Sequence, residues 1–274
     1  MSDLSRLSFN SQTAKHWPLP ELIDAAGRGG LGGVGLWREP VREAGIDRVA
    51  HLVRSAGLEV TSLCRGGFFT AADAATRQER IDDNRRAVEE AALLGARTLV
   101  LVCGGLPSGS RDLAGARGMV ADAIAELAPF AGDHGVVLAI EPMHPMYCSD
   151  RSVVSTLRQA RRLAERFPPE QVGVLVDAYH VWWDPELVDE LALLDGRIAG
   201  FQVCDWVTPL PAGVLTGRGM MGDGVIDLGA LRREVERSGY SGLTEVEIFN
   251  ARLWQRAGHE VLAEACRRYL AHVA

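Results

Sequence analysis

Eight short runs of apolar and β-branched residues alternate with eight amphipathic stretches along the 274 residues, and this alternation predicts a (β/α)8 TIM barrel of parallel strands. The length is that of one barrel with its eight helices. No linker-like or low-complexity segment interrupts the pattern, so we expect a single domain over residues 1–274. An open, doubly wound parallel sheet is the alternative that the same alternation allows.

The individual elements follow from local signals. The strands are predicted at residues 7–10, 33–36, 59–64, 98–102, 136–141, 172–177, 198–205 and 243–248. The helices are predicted between them, at residues 20–26, 46–56, 77–94, 113–132, 152–167, 185–194, 228–238 and 254–271. Gly95, Gly135 and Gly239 stand where a helix gives way to the next strand, and Pro168 and Pro169 cannot continue the fifth helix.

The overall charge and the cysteines restrict the class of protein. The formal net charge of -7 argues against a nucleic-acid partner or an anionic membrane surface, since both require a basic face. No apolar run approaches the ~20 residues that a membrane-spanning helix needs. The N-terminus lacks the pattern of a signal peptide, and the five cysteines are dispersed. We therefore expect a cytoplasmic protein.

Two common kinds of chemistry are also disfavoured. Lys15 is the only lysine, which argues against catalysis through a Schiff base. A glycine pattern at residues 27–32 has the spacing of a dinucleotide-binding loop, but it follows a predicted helix and precedes a strand, the reverse of the required order. A second pattern, at residues 217–222, comes well after its strand. No nucleotide cofactor is expected.

Four consecutive strands each present an oxygen-bearing side chain near their carboxyl end, where barrels carry their active sites. These residues are Glu141, Asp177, Gln202 and Glu247. Strand alternation is compatible with the three carboxylates pointing into the mouth of the barrel. Three converging carboxylates would repel one another unless they took up protons or shared a cation. Such an all-oxygen ligand set suits Mn²⁺ or Mg²⁺ better than Zn²⁺. The alternative is that each acid caps a helix or pairs with an arginine.

The ordered set of motifs resembles the xylose-isomerase-like TIM-barrel superfamily, in particular its sugar isomerase and epimerase branch. It comprises Ala-Ile-Glu141-Pro, Asp177-Ala-Tyr-His180, Gln202-Val-Cys-Asp205, Arg218 followed by Gly-Met-Met-Gly-Asp-Gly-Val-Ile-Asp, and Glu247 in Val-Glu-Ile-Phe. The resemblance implies one divalent metal ion bound by Glu141, Asp177, Gln202 and Glu247, with Mn²⁺ expected and Mg²⁺ or Co²⁺ as alternatives. Gln202 stands where many relatives have a metal-binding histidine. The resemblance also implies that His180 and Arg218 contact the substrate.

The implied reaction removes a proton next to a carbonyl to form an enediolate, with Glu141 and Glu247 as the acid–base pair on opposite faces of a small carbohydrate. Epimerisation, isomerisation and elimination by a keto-sugar dehydratase or lyase all share this step. A non-catalytic sugar-binding protein is a further alternative, and a DNA-repair endonuclease is disfavoured by the acidic charge. Relatives often form homo-oligomers, and the sequence leaves that state open.

Several further residues are candidates near the site. We expect His144 to line the pocket and Trp17 to stack on a sugar face, with a loop position and core packing as the respective alternatives. Glu245 lies one step deeper than Glu247, and because a buried carboxylate needs a partner, an arginine is expected beside it. The loop after the seventh strand carries Arg218 together with Asp205, Asp223 and Asp227, and this mixed charge favours a neutral sugar over a phosphorylated one.

Overall fold

The strands of the computed structural model, which describes residues 3–211 and 213–274, close into a barrel. They are β1 (Leu7–Asn10), β2 (Gly33–Trp37), β3 (Glu59–Gly67), β4 (Thr98–Val102), β5 (Val137–Ile140), β6 (Val172–Asp177), β7 (Ile198–Val203) and β8 (Thr244–Val246). Each strand pairs in parallel with the next, and β8 pairs with β1. The predicted (β/α)8 barrel is therefore confirmed, and the open sheet is excluded.

Helices follow the strands as the alternation predicts, with two additions. They are α1 (Leu19–Arg28), α2 (Arg38–Ala44), α3 (Ile46–Ser55), α4 (Ala74–Leu94), α5 (Leu113–Asp133), α6 (Leu157–Ala164), α7 (Ala178–Val181), α8 (Leu187–Ala192), α9 (Leu228–Arg237) and α10 (Gly258–His272). The short helices α2 and α7 directly follow β2 and β6 and were not predicted. None of the helices in the described part of the chain combines the length and apolar character needed to cross a membrane.

Helix α6 begins five residues later than predicted, because hydrogen bonds to the loop after β4 hold the preceding segment in a non-helical conformation. The N–H of Gly104 donates to the carbonyl of Arg151 at 2.7 Å, and the N–H of Val153 donates to the carbonyl of Gly104 at 2.9 Å. These bonds tie the segment to the loop after β4. The Thr156 side chain then accepts from the N–H of Gln159 and caps the helix.

Strand alternation divides the strand residues between two apolar clusters. One contains the side chains that pack against the helices, such as Leu99 and Leu138. The other consists of Cys64, Val100, Ala139 and Leu175, with Trp37 and Ala199 packed against it. This second cluster fills the interior of the barrel. Glu141 and Asp177 follow Ala139 and Leu175 by two residues, so both carboxylates point into the same interior, as alternation predicts.

Candidate active site

A cavity at the carboxyl ends of the strands brings several of the predicted residues together. We refer to it as the mouth cavity, lined by Trp37, Cys64, Arg65, Val100, Val102, Glu141, Met143, Arg151, Gln202, Leu215, Arg218, Glu247 and Phe249. Three of the four strand-end residues, Glu141, Gln202 and Glu247, contribute to its wall. The fourth, Asp177, is fully buried directly behind it. The barrel therefore collects at one place side chains that lie up to 212 residues apart in the sequence, as Trp37 and Phe249 do.

Glu141, Asp177 and His180 form a compact buried group. Each offers one potential ligand atom, and these atoms all lie within 4.8 Å of one another. His180 Nε2 is 3.8 Å from Glu141 Oε1 and 3.7 Å from Asp177 Oδ2. Asp177 ends β6 and caps α7, because its side chain accepts from the N–H of Tyr179 in the first turn of that helix. This cap fixes the position of His180, which follows Tyr179. The unpredicted helix α7 therefore aims His180 at the two carboxylates.

Arg218 places a buried positive charge among the acids. Its Nη1 lies 3.1 Å from Asp177 Oδ2 and 3.6 Å from Glu247 Oε2. The guanidinium also lies over the rings of Tyr179 and Phe249, at 4.7 and 4.9 Å from their centres. The backbone of Arg218 is fixed to the end of β8, because its N–H donates to the carbonyl of Phe249 at 3.1 Å. The pairing of an acid with an arginine, foreseen as an alternative to a metal site, is thus present for Asp177.

One arginine does not neutralise three buried carboxylates. Burial raises the pKa of Glu247 to about 8, although Arg218 acts in the opposite direction. Burial, followed by the charge of Asp177, raises the pKa of Glu141 well above its usual value. Burial also raises the pKa of Asp177. Burial therefore shifts all three acids toward their protonated forms, and a cation among these oxygens would favour the release of the protons.

The surroundings of His180 favour its neutral form. Burial, together with the neighbouring charge of Arg218, holds its pKa well below the usual value. Its Nδ1 faces the backbone N–H of His144 at 3.3 Å, and its Nε2 faces Arg218 Nη2 at 3.2 Å. A neutral imidazole has one acceptor nitrogen, so only one of these contacts is a hydrogen bond, and the other nitrogen carries the proton.

Glu245 occupies the layer below the site, and its hydrogen bonds within the described part of the chain all come from uncharged donors. Asn10 Nδ2 and Gln202 Nε2 each donate to its Oε1 at 2.7 Å, and Ser62 Oγ and Thr61 Oγ1 donate to its Oε2. The prediction of an arginine beside Glu245 is wrong, because strands β1, β3 and β7 together provide enough neutral donors. The signal in the sequence was a set of polar residues at inward-facing strand positions.

Gln202 is held in one orientation by this layer. Its Nε2 is committed to Glu245, whereas its buried Oε1 has no hydrogen-bond partner among the described residues. Gln202 also lines the mouth cavity beside Glu141 and Glu247. An orphaned carbonyl oxygen next to partly protonated carboxylates is a donor set that a hard divalent cation satisfies. The residues present therefore fit such an ion.

Three of the four predicted substrate-binding residues lie outside the lining of the mouth cavity: His144, Trp17 and the fully buried His180. The ring of His144 packs against Trp206 and Trp183, with centres 4.9 and 5.5 Å apart. Trp17 donates from Nε1 to Glu21 at 3.1 Å. Its ring also packs against Gly258, where even a Cβ would be 2.1 Å from Trp17 Cδ2. Their contact with substrate stays a prediction.

The aromatic side chains that do line the mouth cavity are Trp37 and Phe249. Trp37 ends β2 and donates from Nε1 to Glu247 Oε1 at 3.2 Å. The two rings meet edge to face, with centres 5.5 Å apart. Neither residue was predicted from the sequence, although Trp37, like Glu247, stands at the carboxyl end of its strand.

Comparison with known proteins agrees with this architecture. Residues 23–270 match the family model described as xylose isomerase-like TIM barrel, so the chain belongs to that family. The solved structure of protein SMc04130 from Sinorhizobium meliloti 1021 is 47% identical, with a TM-score of 0.95 over 98% of this chain and 99% of that one. The IOLI protein, solved with a binding zinc atom, has the same fold at 21% identity, a TM-score of 0.85 and 98% coverage of each chain.

A curated relative is similar over a shorter stretch. The inosose isomerase of Bacillus subtilis (strain 168) is 26% identical over 146 residues, which are 53% of this chain. The match spans about half of that relative, 51% of its length.

Proposed function

We propose that this protein is a sugar isomerase or epimerase that removes a proton next to a carbonyl of a small carbohydrate. The observation that carries the proposal is the presence of two buried carboxylates, Glu141 and Glu247, in the wall of one cavity that also contains Arg218. They come from the ends of β5 and β8, so a substrate held between them meets one carboxylate from each side. That arrangement allows one acid to take a proton and the other to return it.

The electrostatics of the two acids suit proton transfer. A general base works best when its pKa lies near the operating pH, and burial places that of Glu247 at about 8. Trp37 Nε1 orients the Glu247 carboxylate at 3.2 Å. Arg218, which lines the cavity, donates toward negative charge that develops on the substrate oxygens. Positioned proton transfer of this kind contributes about 10²–10⁴-fold to the rate.

A divalent metal ion is part of the proposal, with Mn²⁺ as the expected ion. Glu141, Asp177, Gln202 and Glu247 would hold it. When bound, it supplies Lewis-acid stabilisation of an enediolate oxygen. The partnerless Oε1 of Gln202 and the raised pKa values of the three acids support this assignment. The zinc atom bound to the IOLI protein supports a metal in general, and the all-oxygen ligands of this chain favour Mn²⁺ or Mg²⁺ over Zn²⁺.

The similarity to an inosose isomerase supports a cyclic or open-chain keto-sugar as substrate. Inososes are polyhydroxy ketones, and their carbonyl acidifies the hydrogen on the adjacent carbon. Loss and return of that hydrogen on opposite faces gives an epimer, and its return to the neighbouring carbon gives an isomer.

Deuterium uptake tests the proposal directly. The protein supplied with Mn²⁺ is incubated in D₂O with inososes and ketoses, and label at the carbon next to the carbonyl is measured by NMR. We expect Glu247→Gln and Glu141→Gln to lower the rate of uptake by at least about 10²-fold, since each removes a proton-transfer group. Asp24→Asn, which alters a well-exposed carboxylate on α1, is the control and should retain the wild-type rate.

The products separate the alternatives. Full exchange activity in Glu247→Gln would refute the assignment of that residue. Binding of a sugar without any exchange would indicate a binding protein. Release of water with formation of a conjugated product would indicate a lyase, which uses the same proton abstraction on a substrate with a β leaving group.

A further inference from the structure

Two half-buried arginines in the wall of the mouth cavity have no carboxylate at hydrogen-bond distance among the described residues. Arg65, in β3, lines the cavity and has its guanidinium 4.1 Å from the centre of the Phe68 ring. Its side chain donates no hydrogen bond within residues 3–211 and 213–274. Arg151 lines the same cavity, and its Nε is buried without a hydrogen-bond partner in the described part of the chain.

The two guanidinium groups also oppose each other electrostatically. Burial, and after it the charge of Arg151, lowers the pKa of Arg65. The carboxylate of Asp150 lies 3.9 Å from Arg151 Nε, beyond hydrogen-bond length, and is mostly exposed. By contrast, the buried Arg38 forms ion pairs with Asp83 at 2.8 Å and Glu90 at 2.7 Å. Two half-buried like charges that line one cavity, neither with a carboxylate at hydrogen-bond distance among the described residues, repel each other less when an anion binds between them.

The sequence favoured a neutral substrate because three acids follow the seventh strand, but each of these acids has a partner elsewhere in the structure. Asp205 accepts from the backbone N–H groups of Trp206, Gly222 and Ile226. Asp223 pairs with Arg268 at 2.8 Å, and Asp227 caps α9. These three carboxylates hold the loop after β7 in shape and do not line the mouth cavity. The charge that a substrate meets is therefore more positive than the sequence indicates.

We propose that the substrate carries an anionic group, a carboxylate or a phosphate, and that Arg65 and Arg151 bind this group together. The inference rests on the proposed function, since it concerns the substrate of the same site. Guanidinium groups bind both anions through paired N–H donors, and two of them converging on one anion satisfy donors that are otherwise unpaired. Glu141 and Glu247 would act at the carbonyl end of the same molecule.

Binding measurements with three ketoses test the inference. D-fructose, 2-keto-D-gluconate and D-fructose 6-phosphate share a carbonyl at the second carbon and differ in charge. Their affinities, and that of inorganic phosphate, are measured by calorimetry at one ionic strength for the wild type, Arg65→Gln, Arg151→Gln and Arg111→Gln. Arg111 is exposed and is the charge-matched control. Thermal unfolding establishes that each variant is folded.

We expect at least one anionic ketose to bind the wild type and Arg111→Gln at least about tenfold more tightly than D-fructose, and the Arg65 and Arg151 variants to lose that preference. The preferred ketose identifies the anion as carboxylate or phosphate. Equal affinity for all three ketoses, no detectable binding of any anion, or an unchanged preference in both variants would overturn the inference.

Deuterium uptake by the same ketoses separates this inference from the proposed function. Exchange without any preference for an anion would overturn the inference and retain the function. A preference lost in the two variants, without exchange in any ketose, would retain the anion site and overturn the function.

Discussion

Replacing Glu245 by alanine is expected to destabilise the barrel and to weaken the binding of a divalent ion at the same time. Glu245 is 3% exposed and receives hydrogen bonds from Asn10, Thr61, Ser62 and Gln202. Alanine removes every one of these acceptor contacts. Thr61 Oγ1 retains Ser8 Oγ at 2.8 Å, so three donors, on Asn10, Ser62 and Gln202, lose their partner.

The expected loss of stability follows from the number of hydrogen-bond donors that are left without an acceptor. A buried polar group left without a partner costs about 1–3 kcal/mol, and the removal of a buried carboxylate returns part of that cost. We therefore expect the free energy of unfolding to fall by about 3 kcal/mol, or the melting temperature by roughly 6–12 °C. Thermal and urea unfolding of the metal-free protein measure this change.

The weaker binding of the divalent ion follows from the release of the Gln202 side-chain amide. Without Glu245, Gln202 can rotate and no longer presents its Oε1 in one direction. Loss of a residue that orients a ligand lowers metal affinity by about 10–100-fold. Titration with Mn²⁺, followed by calorimetry, measures this change independently of any catalytic activity.

Ser62→Ala is the matched control for Glu245→Ala. It removes one donor to the same carboxylate but leaves the contact between Gln202 and Glu245 intact. It should cost about 1 kcal/mol and leave the Mn²⁺ affinity unchanged. The reasoning is refuted if Glu245→Ala binds Mn²⁺ as the wild type does, or if Ser62→Ala weakens binding equally.

Three further predictions concern packing, pH and a distant ion pair. A Cβ at Gly35 would lie 2.5 Å from Glu245 Oε1, so Gly35→Ala should lower the melting temperature in thermal unfolding, whereas Gly118→Ala, with open space around it, should not. In protein stripped of metal, the folded state retains protons on Glu247 between pH about 4.5 and about 8 that the unfolded state has released, so stability should fall as pH rises through this window. Calorimetry with EDTA measures this slope, and a wild-type slope in Glu247→Gln would contradict it. Glu190 is buried between Arg158 at 2.8 Å and Arg161 at 2.7 Å, so Glu190→Ala should cost about 2 kcal/mol in urea unfolding. Deuterium uptake should be unchanged in that variant, and a loss of uptake would show that the ion pair also supports the site.

Much of the fold was predictable because its determinants are local. Strands β1, β4 and β6 have the predicted bounds, since each is a compact apolar run. The start of α6 was missed because hydrogen bonds from the loop after β4 hold the preceding residues, and no local pattern records such a contact. Helices α2 and α7 were missed because each is shorter than two turns, which is too short to produce a periodic pattern in the sequence.

The candidate site was predictable in part. The strand-end rule identified Glu141, Asp177, Gln202 and Glu247, and three of these line the mouth cavity with Asp177 directly behind them. It did not reveal the partners of these residues.

The sequence by itself determined the alternation of strands and helices and the side chains at the strand ends, because both depend on residues near one another in the chain. Only the tertiary structure decided what surrounds each side chain. Closure of the barrel brings Gln202 and Glu245 together, and it turns Arg65 and Arg151 toward one cavity. Burial in that closed interior, away from water, gives these carboxylates and guanidinium groups their altered pKa values and their need for partners.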